Sequence, residues 1–443
     1  MSSSPEAPRL QRSLKLWHLI VYGIIIIQPT APMGIYGVVS NLAHGHVVTT
    51  ILIAMVAMLF TAISYGRMAR VYPRAGSAFT YVSEELNPKL GYIVGWAMLM
   101  DYVLNPIICV IWCSQAARNV VPNVPYAFWV ISFALLITYL NTRGIQTSGR
   151  VNAILSIVMS LVVILFLGEG VRYIFSTVHP TGLDLLRPFY DPSTFSTSTV
   201  FQGTSVAVLT YIGFDGISTM AEEVENPRRN ILLATVFTCV IIGILSMVEV
   251  YVAQLAWPAT QPFPSSIVDT AFVHVAARVG GTFLFQLLNA TLLVANLGSA
   301  VAAQFGASRL MYSMGRNNSL PPRVFGAIDP RHLIPRNNVL IVGAIALMGA
   351  FLLSYEQGAE LLNFGAFIAF IGVNAAALVH YKFRSQEKVT LPLLIRALGI
   401  LVCTFIWIHL SRNAQLLGVL WICVGLLVAW SMRRGRKSIV QPQ

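Results

Sequence analysis

Twelve runs of mostly apolar residues divide this chain, at roughly 17–41, 47–66, 89–117, 125–142, 151–175, 198–222, 230–255, 281–313, 337–355, 359–381, 391–411 and 415–432. An α-helix needs about 20 apolar residues to cross a hydrocarbon core, so each run predicts one crossing. The short polar segments between them leave no room for a soluble catalytic domain. The expected fold is therefore an all-α integral membrane protein with twelve transmembrane helices. A membrane domain spans 17–432, between a short N-terminal segment, 1–16, and a C-terminal tail, 433–443.

Two runs are broken near their middles. The first contains Gln28-Pro29-Thr30-Ala31-Pro32-Met33-Gly34 and the sixth contains Ile212-Gly213-Phe214-Asp215-Gly216. A break inside lipid strands backbone N–H and C=O groups at a cost of several kcal/mol each, so it persists only where protein, water or a ligand satisfies them. Each broken run opens a block of five, 17–175 and 198–381. Five is odd, so the blocks point in opposite directions. That geometry is a 5+5 inverted repeat with the last two runs, 391–432, as an appendix, and paired breaks in such a repeat mark a transporter's substrate site.

Composition agrees with the hydropathy pattern and removes other classes. The 443 residues are 56% hydrophobic and 10% charged, with a mean hydropathy of +0.71. A net charge of +12 would suggest nucleic acid in a soluble protein. Here 24 of the 29 Lys and Arg fall on one side if the N-terminus is cytoplasmic, leaving Arg118, Arg172, Arg187, Arg278 and Arg412 outside. This bias is the positive-inside rule, and it puts both termini in the cytoplasm. The excess charge is topology and contact with anionic lipid heads, not a nucleic-acid surface. The five cysteines all lie in apolar runs without CxxC or CxxH spacing, so neither a disulfide framework nor a metal site is expected, and no cofactor is implied. The polar Met1–Gln11 segment carries no cleavable signal pattern, and the first run is expected to serve as its own anchor.

Ionisable groups at membrane depth are costly and mark function. Asp101, about twelve residues into the third run, and Asp215, inside the second break, are the two clear cases. Either would suit a cationic substrate or a proton relay; the plain alternative is a hydrogen-bonded Asp that pins a helix contact. Free N–H groups at half-helix N-termini suit a carboxylate, and free carbonyls with Asp215 suit an ammonium. Gln28, Thr30, Gly34, Gly213 and Gly216 bring backbone or small polar groups to the breaks. Tyr36, Tyr102, Tyr211, Phe214 and Phe364 could close the site by cation–π contact, although most membrane aromatics simply pack. Ser299 is a pathway candidate among the polar groups Gln286, Asn289, Asn296 and Gln304 of the eighth run. Asn363 and Asn374 dot the tenth. Most such groups tie helices together. Glu222, Glu223 and Glu225, near Arg228 and Arg229, read either as an inner gate of ion pairs or as solvated helix-end charge. The Pro- and Gly-bearing stretch Arg67–Val82 predicts a turn and short helix at the cytoplasmic face. The outer connections Glu169–Thr197 and Trp257–Arg278 are expected to fold over the entry path.

The chain resembles the amino acid/polyamine/organocation superfamily of secondary transporters, and within it the bacterial putrescine importers. The resemblance runs from about Ser13 to Arg434. It rests on Ser13-Leu14-Lys15-Leu16-Trp17, Gly45-His46-Val47, Phe60-Thr61-Ala62-Ile63-Ser64-Tyr65-Gly66, Ala75-Gly76-Ser77-Ala78, Gly95-Trp96 with Asp101-Tyr102, Gly213-Phe214-Asp215, Ser308-Arg309-Leu310, Met314-Gly315-Arg316 and Asn363-Phe364-Gly365-Ala366. It implies a leucine-transporter-like fold with alternating access around the first, third, sixth, eighth and tenth helices. It also implies roles for Tyr102, Asp215, Glu222 and Glu223 in polyamine recognition or transport. Two departures stand out. The first break lacks the Gly-small-Gly pattern that amino-acid members use for the substrate carboxylate, and Gly34 stands where the putrescine importers carry an acid.

The expected activity is import of an amine-bearing solute, a polyamine or an amino acid, across the cytoplasmic membrane. The coupling ion is expected to be a proton, with sodium the second choice because the fifth run has no Lys in place of a sodium site. An amine or amino-acid exchanger on the same fold stays open, as does a channel or non-transporting sensor. So does monomer against homodimer. An intramembrane aspartyl protease is rejected, because its Tyr-Asp and Gly-x-Gly-Asp motifs are replaced here by Asp101-Tyr102 and Gly213-Phe214-Asp215.

Overall fold

A computed structural model describes residues 14–72, 77–143, 149–220, 224–258, 261–316, 320–330, 334–385 and 390–439. Among them there is no β-strand beyond two isolated bridges, Leu14 to Val224 and Asp329 to Ile334. The chain winds through α1 (Leu16–Ile27), a 3-10 turn (Ala31–Gly34), α2 (Tyr36–Leu42), α3 (Val47–Val71), α4 (Ser77–Glu85), α5 (Pro88–Val120), α6 (Tyr126–Thr142) and α7 (Gly149–Tyr173). It continues through α8 (Thr197–Ala207), two 3-10 segments (Val208–Tyr211 and Phe214–Met220), α9 (Pro227–Ala256), α10 (Ala271–Arg316), α11 (Pro322–Phe325), α12 (Arg336–Leu352), α13 (Tyr355–Val379), α14 (Thr390–Ile408) and α15 (Arg412–Ile439). Among the described residues eight helices are long and apolar enough to cross a membrane, and Tyr126–Thr142, Arg336–Leu352 and Leu393–Ile408 are shorter apolar helices.

Side-chain distribution shows which faces meet lipid. On α7, Ile154, Ile157, Leu161, Ile164 and Leu165 form an exposed stripe at helical spacing, the face a lipid-contacting helix presents. By contrast, α3, α5 and α13 are the most enclosed of the long helices. They pack together with α9 and α10 and surround the two breaks.

Several boundaries differ from the hydropathy pattern. The second break is narrower than Ile212–Gly216: Ile212 is extended, Gly213 takes φ +120, and a 3-10 helix resumes at Phe214. Within Ala271–Arg316 the backbone is non-helical at Gly280 and Gly281, so a short helix precedes the eighth apolar run, which starts at this kink as its hydropathy indicates. The last helix continues to Ile439, past the expected start of the tail at 433. Hydropathy records where apolar composition stops, whereas backbone hydrogen bonding carries a helix onward through polar residues. The short helix expected between the second and third runs is present as α4; the turn before it, 73–76, lies outside the described residues.

Polar groups inside the bundle mostly join helices. Asn374 donates to Thr61 Oγ1 at 3.1 Å and accepts from Ser64 at 2.6 Å, tying α13 to α3. Gln304 donates to Thr138 Oγ1 and the Val339 carbonyl and accepts from Asn141, joining α10, α6 and α12. Asn289 donates to the Ala116 carbonyl of α5. Asn296 bonds back to its own helix at Leu292, and Gln286 is exposed. Trp96 on α5 and Trp421 on α15 stack at 5.1 Å, each indole N–H donating to the other's carbonyl.

Candidate functional site

The first break begins where α1 ends. Gln28 takes φ +72, so its amide still bonds back to Ile24 while the chain turns away. Pro29 has no N–H to continue the ladder, and Pro32 sits in the 3-10 turn Ala31–Gly34 before α2 restarts the helix. In the sixth segment the α-helix tightens to 3-10 at Val208 and opens at Ile212. Gly213 is required here: a Cβ would stand 2.7 Å from Ile26 Cγ2, and φ +120 disfavours any L side chain. The Cβ position of Gly216 is 3.3 Å from Ile26 Cδ1. The two breaks, 184 residues apart in sequence, thus lie against each other at the end of α1.

Asp215 follows the second break. The backbone amides of Gly213, Asp215 and Gly216 bond to its carboxyl. Asp101 and Tyr102 on α5 come within electrostatic range of Asp215, as do Tyr65 on α3 and Tyr81 on α4. Tyr22 on α1 interacts with Tyr102. Five elements therefore converge on two partly accessible carboxyls ringed by phenols. Phe214 is wedged behind them, edge-on to Tyr65 at 5.5 Å and tilted against Phe370 at 5.6 Å. Tyr102 also borders α10, where a Cβ on Gly306 would lie 3.0 Å from its ring.

A polar ladder rises along α5 from this centre. Asn105, one turn beyond Asp101, accepts from Ser299 Oγ of α10 and from Cys109 Sγ, each at 3.4 Å. Gln28 donates to the Ala295 carbonyl of α10 at 3.3 Å. The Thr30 hydroxyl points to the Met159 thioether of α7 at 3.9 Å. Gly34 is partly exposed, and the atom nearest its Cβ position is Tyr355 Oη at 3.3 Å.

Of the residues singled out in the sequence, the structure gathers Asp101, Tyr102, Gly213, Phe214 and Asp215. It places Gln28, Thr30, Gly34 and Ser299 along the adjoining walls. Two lie elsewhere. Tyr36 is fully buried, edge-on to Phe272 and Phe263, with its hydroxyl donating to Gln254. Phe364 packs on Trp407 of α14 at 5.1 Å and covers Gly418 of α15. Tyr211 donates to the Ile51 carbonyl, a helix tie. Glu222 and Glu223 lie outside the described residues. Glu225 donates its amide to the Leu14 carbonyl, pairing the N-terminal segment with the end of the sixth segment. The connections 169–197 and 257–278 touch the bundle at two points: Asn41 of α2 exchanges hydrogen bonds with the Phe263 backbone, and His46 Nε2, just before α3, accepts from the Asp191 amide.

Sequence reading missed Tyr22, Tyr65, Tyr81 and Asn105. Asn105 alone carried a signal, its i+4 spacing from Asp101 on one helix face. The three tyrosines belong to other helices, and only packing unites them.

The amino acid permease family model matches residues 20–431. The low-affinity putrescine importer PlaP of Escherichia coli is 31% identical over 427 residues, covering 94% of this chain and 93% of that protein. The branched-chain amino acid permease BcaP of Bacillus subtilis is 25% identical over 457 residues, 98% and 95% of the two chains. The methylthioribose transporter of Bacillus subtilis is 24% identical over 457 residues, 97% and 95% of the two. With a family model running through both broken segments and nearly every helix, the chain belongs to the amino acid permease family of membrane transporters.

Proposed function

We propose that the protein imports an amine-bearing solute, a polyamine or an amino acid held chiefly through its ammonium group, across the cytoplasmic membrane by proton-coupled alternating access. The observation that carries this reading is the convergence of Asp101 and Asp215 within a ring of tyrosines at the junction of the two breaks. Two neighbouring carboxyls in a low-dielectric site call for a cation or a proton between them, and phenol faces favour ammonium groups. The 31% likeness to a putrescine importer supports the same substrate class.

In this reading the twelve expected crossings form a 5+5 inverted repeat, and the half-helices at the breaks rock against α3, α5 and α10. Asp215 binds the ammonium, Tyr102 packs over it, and Asp101 with Asn105 and Ser299 leads protons along α5. Proton coupling is favoured over sodium because Thr30 faces a soft thioether on α7 instead of the hard oxygens that sodium prefers. Both termini face the cytoplasm.

Thermal stabilisation of the detergent-purified protein across amines, polyamines and amino acids tests the assignment. A ligand at 100 times its dissociation constant adds about 2.7 kcal/mol to the native state. Stabilisation by putrescine is expected. Stabilisation by amino acids alone would withdraw the polyamine reading, and none by any amine would withdraw the site.

A further inference from the structure

One buried acid takes no part in the site just described. Glu249 on α9 is fully buried, and neither carboxyl oxygen has a hydrogen-bond partner. The hydroxyl of Ser246, one turn earlier on the same face, is likewise buried and unpartnered. An ionised carboxylate left so would cost far more than its helix could recover. Something neutralises it.

Contacts on either side locate Glu249 against the first break. Thr238 Oγ1 lies 2.6 Å from the Cβ position of Gly23, so that face of α9 rests on α1. Further along, Gln254 accepts from Tyr36 and Ser40 of α2. Glu249 follows Thr238 by eleven residues, three turns or about 16 Å along the axis, and returns within about 20° of the same face. It is therefore level with the turn Ala31–Gly34, against which α9 packs. On the other flank α7 closes in, since a Cβ on Gly170 would meet Val252 at 2.3 Å.

The titratable and charged groups on the surrounding elements do not compensate it. Tyr22 of α1 and Tyr65 of α3 belong to the central site, as does Asp215. Tyr211 is bonded to Ile51, and Glu169 and Arg172 of α7 pair with each other at 2.5 Å. On α10, Arg278 bonds to Tyr173 and Gln261, and His274 packs on Phe285. The basic groups of α3 and of the end of α10 lie at the cytoplasmic ends of those helices. Among the described residues no charge acts on Glu249.

We propose that Glu249 is a proton-binding site set against the broken first helix. With the first half-helix in the position described, the site is closed to bulk solvent and Glu249 is a neutral carboxylic acid. When that half-helix moves, Glu249 and Ser246 meet water, the O–H bond breaks, and the proton leaves as hydronium while the carboxylate becomes hydrated. Proton release is thereby tied to the motion that exposes the substrate. This last step rests on the proton-coupled transport reading; occupancy of Glu249 by a proton does not.

The test uses the full-length protein with Glu249→Gln, the isosteric neutral variant, and Glu249→Leu as a second in case Gln impairs folding. Infrared difference spectroscopy near neutral pH is expected to show a carbonyl stretch of a buried carboxylic acid that disappears in both variants and survives Asp101→Asn and Asp215→Asn. A band unchanged by Glu249→Gln or Glu249→Leu would overturn the site. Stabilisation by sodium chloride over choline chloride that vanishes in Glu249→Gln would overturn it in favour of a metal ion. In proteoliposomes, Glu249→Gln is expected to lose accumulation of putrescine driven by an inward proton gradient while putrescine exchange persists. Accumulation equal to wild type would overturn the coupling role. Wild-type vesicles that transport neither putrescine nor amino acids would instead sink the transport reading and leave the infrared result standing.

Discussion

Asp215 is the residue on which the site turns. Its carboxyl is held by the backbone amides of Gly213, Asp215 and Gly216, beside a second acid on α5. Asp215→Asn keeps the shape and removes the charge, so radiolabelled amine uptake is expected to fall to background with normal membrane expression. Full uptake would remove Asp215 from the substrate site. Gly34 gives the complementary gain. Its Cβ position meets only Tyr355 Oη, at 3.3 Å, within ordinary reach of a small adjustment. Gly34→Asp is therefore expected to fold and to favour diamines over monoamines, since a second anchor for the far ammonium is added. The readout is the ratio of competition constants for putrescine and a monoamine of equal length. An unchanged ratio would place Gly34 off the path of the substrate.

Elements hold their places through close approach as much as through burial. The second break works because Gly213 adopts φ +120 and lets Ile26 come within contact. Gly213→Ala imposes both a clash and a strained backbone, the latter alone costing roughly 1–3 kcal/mol. A lower unfolding midpoint is expected, with substrate affinity reduced as Asp215 is displaced. A midpoint unchanged by Ala would show that the break relaxes freely. The paired indole bonds of Trp96 and Trp421 dock α15 on α5 in the same way: the Gly425 Cβ position lies 2.5 Å from the Trp96 ring, so this approach too depends on a missing side chain.

At the scale of the whole molecule, the connection between α7 and α8 carries two acids, Asp184 and Asp191, that hydrogen-bond its own backbone. Hydrogen bonds from Thr181 hold the Asp184 carboxyl below its ordinary value of 3.8, with Arg187 adding to the effect. Ser193 does the same for Asp191, again with Arg187 nearby. A depressed folded-state value stabilises the loop above the unfolded value and loses that contribution as pH falls through the folded one. Protection factors for amide exchange at Thr181 and Ser193, corrected for the intrinsic pH dependence of exchange, are therefore expected to fall below about pH 4, while those of α3 and α9 stay high. An equal change in loop and bundle would show that the connection has no acid-linked order of its own.

The sequence alone determined the membrane class, the number and order of apolar runs, the two breaks and the pair of acids within apolar runs. Apolar length, proline and glycine act locally, and an ion in lipid is conspicuous in any arrangement. Only the tertiary structure decided which residues share the site. Tyr36 and Phe364 have the same aromatic signature as Tyr102 and Phe214, yet packing turns them toward Phe272 and Trp407. Tyr65 and Tyr81 reach Asp215 from two separate helices, Tyr22 meets Tyr102 from a third, and Glu249 stands unpartnered on a fourth. Hydropathy reports the solvent a segment prefers; it carries no record of which neighbour a helix face will meet, because that is fixed by contacts between residues hundreds of positions apart.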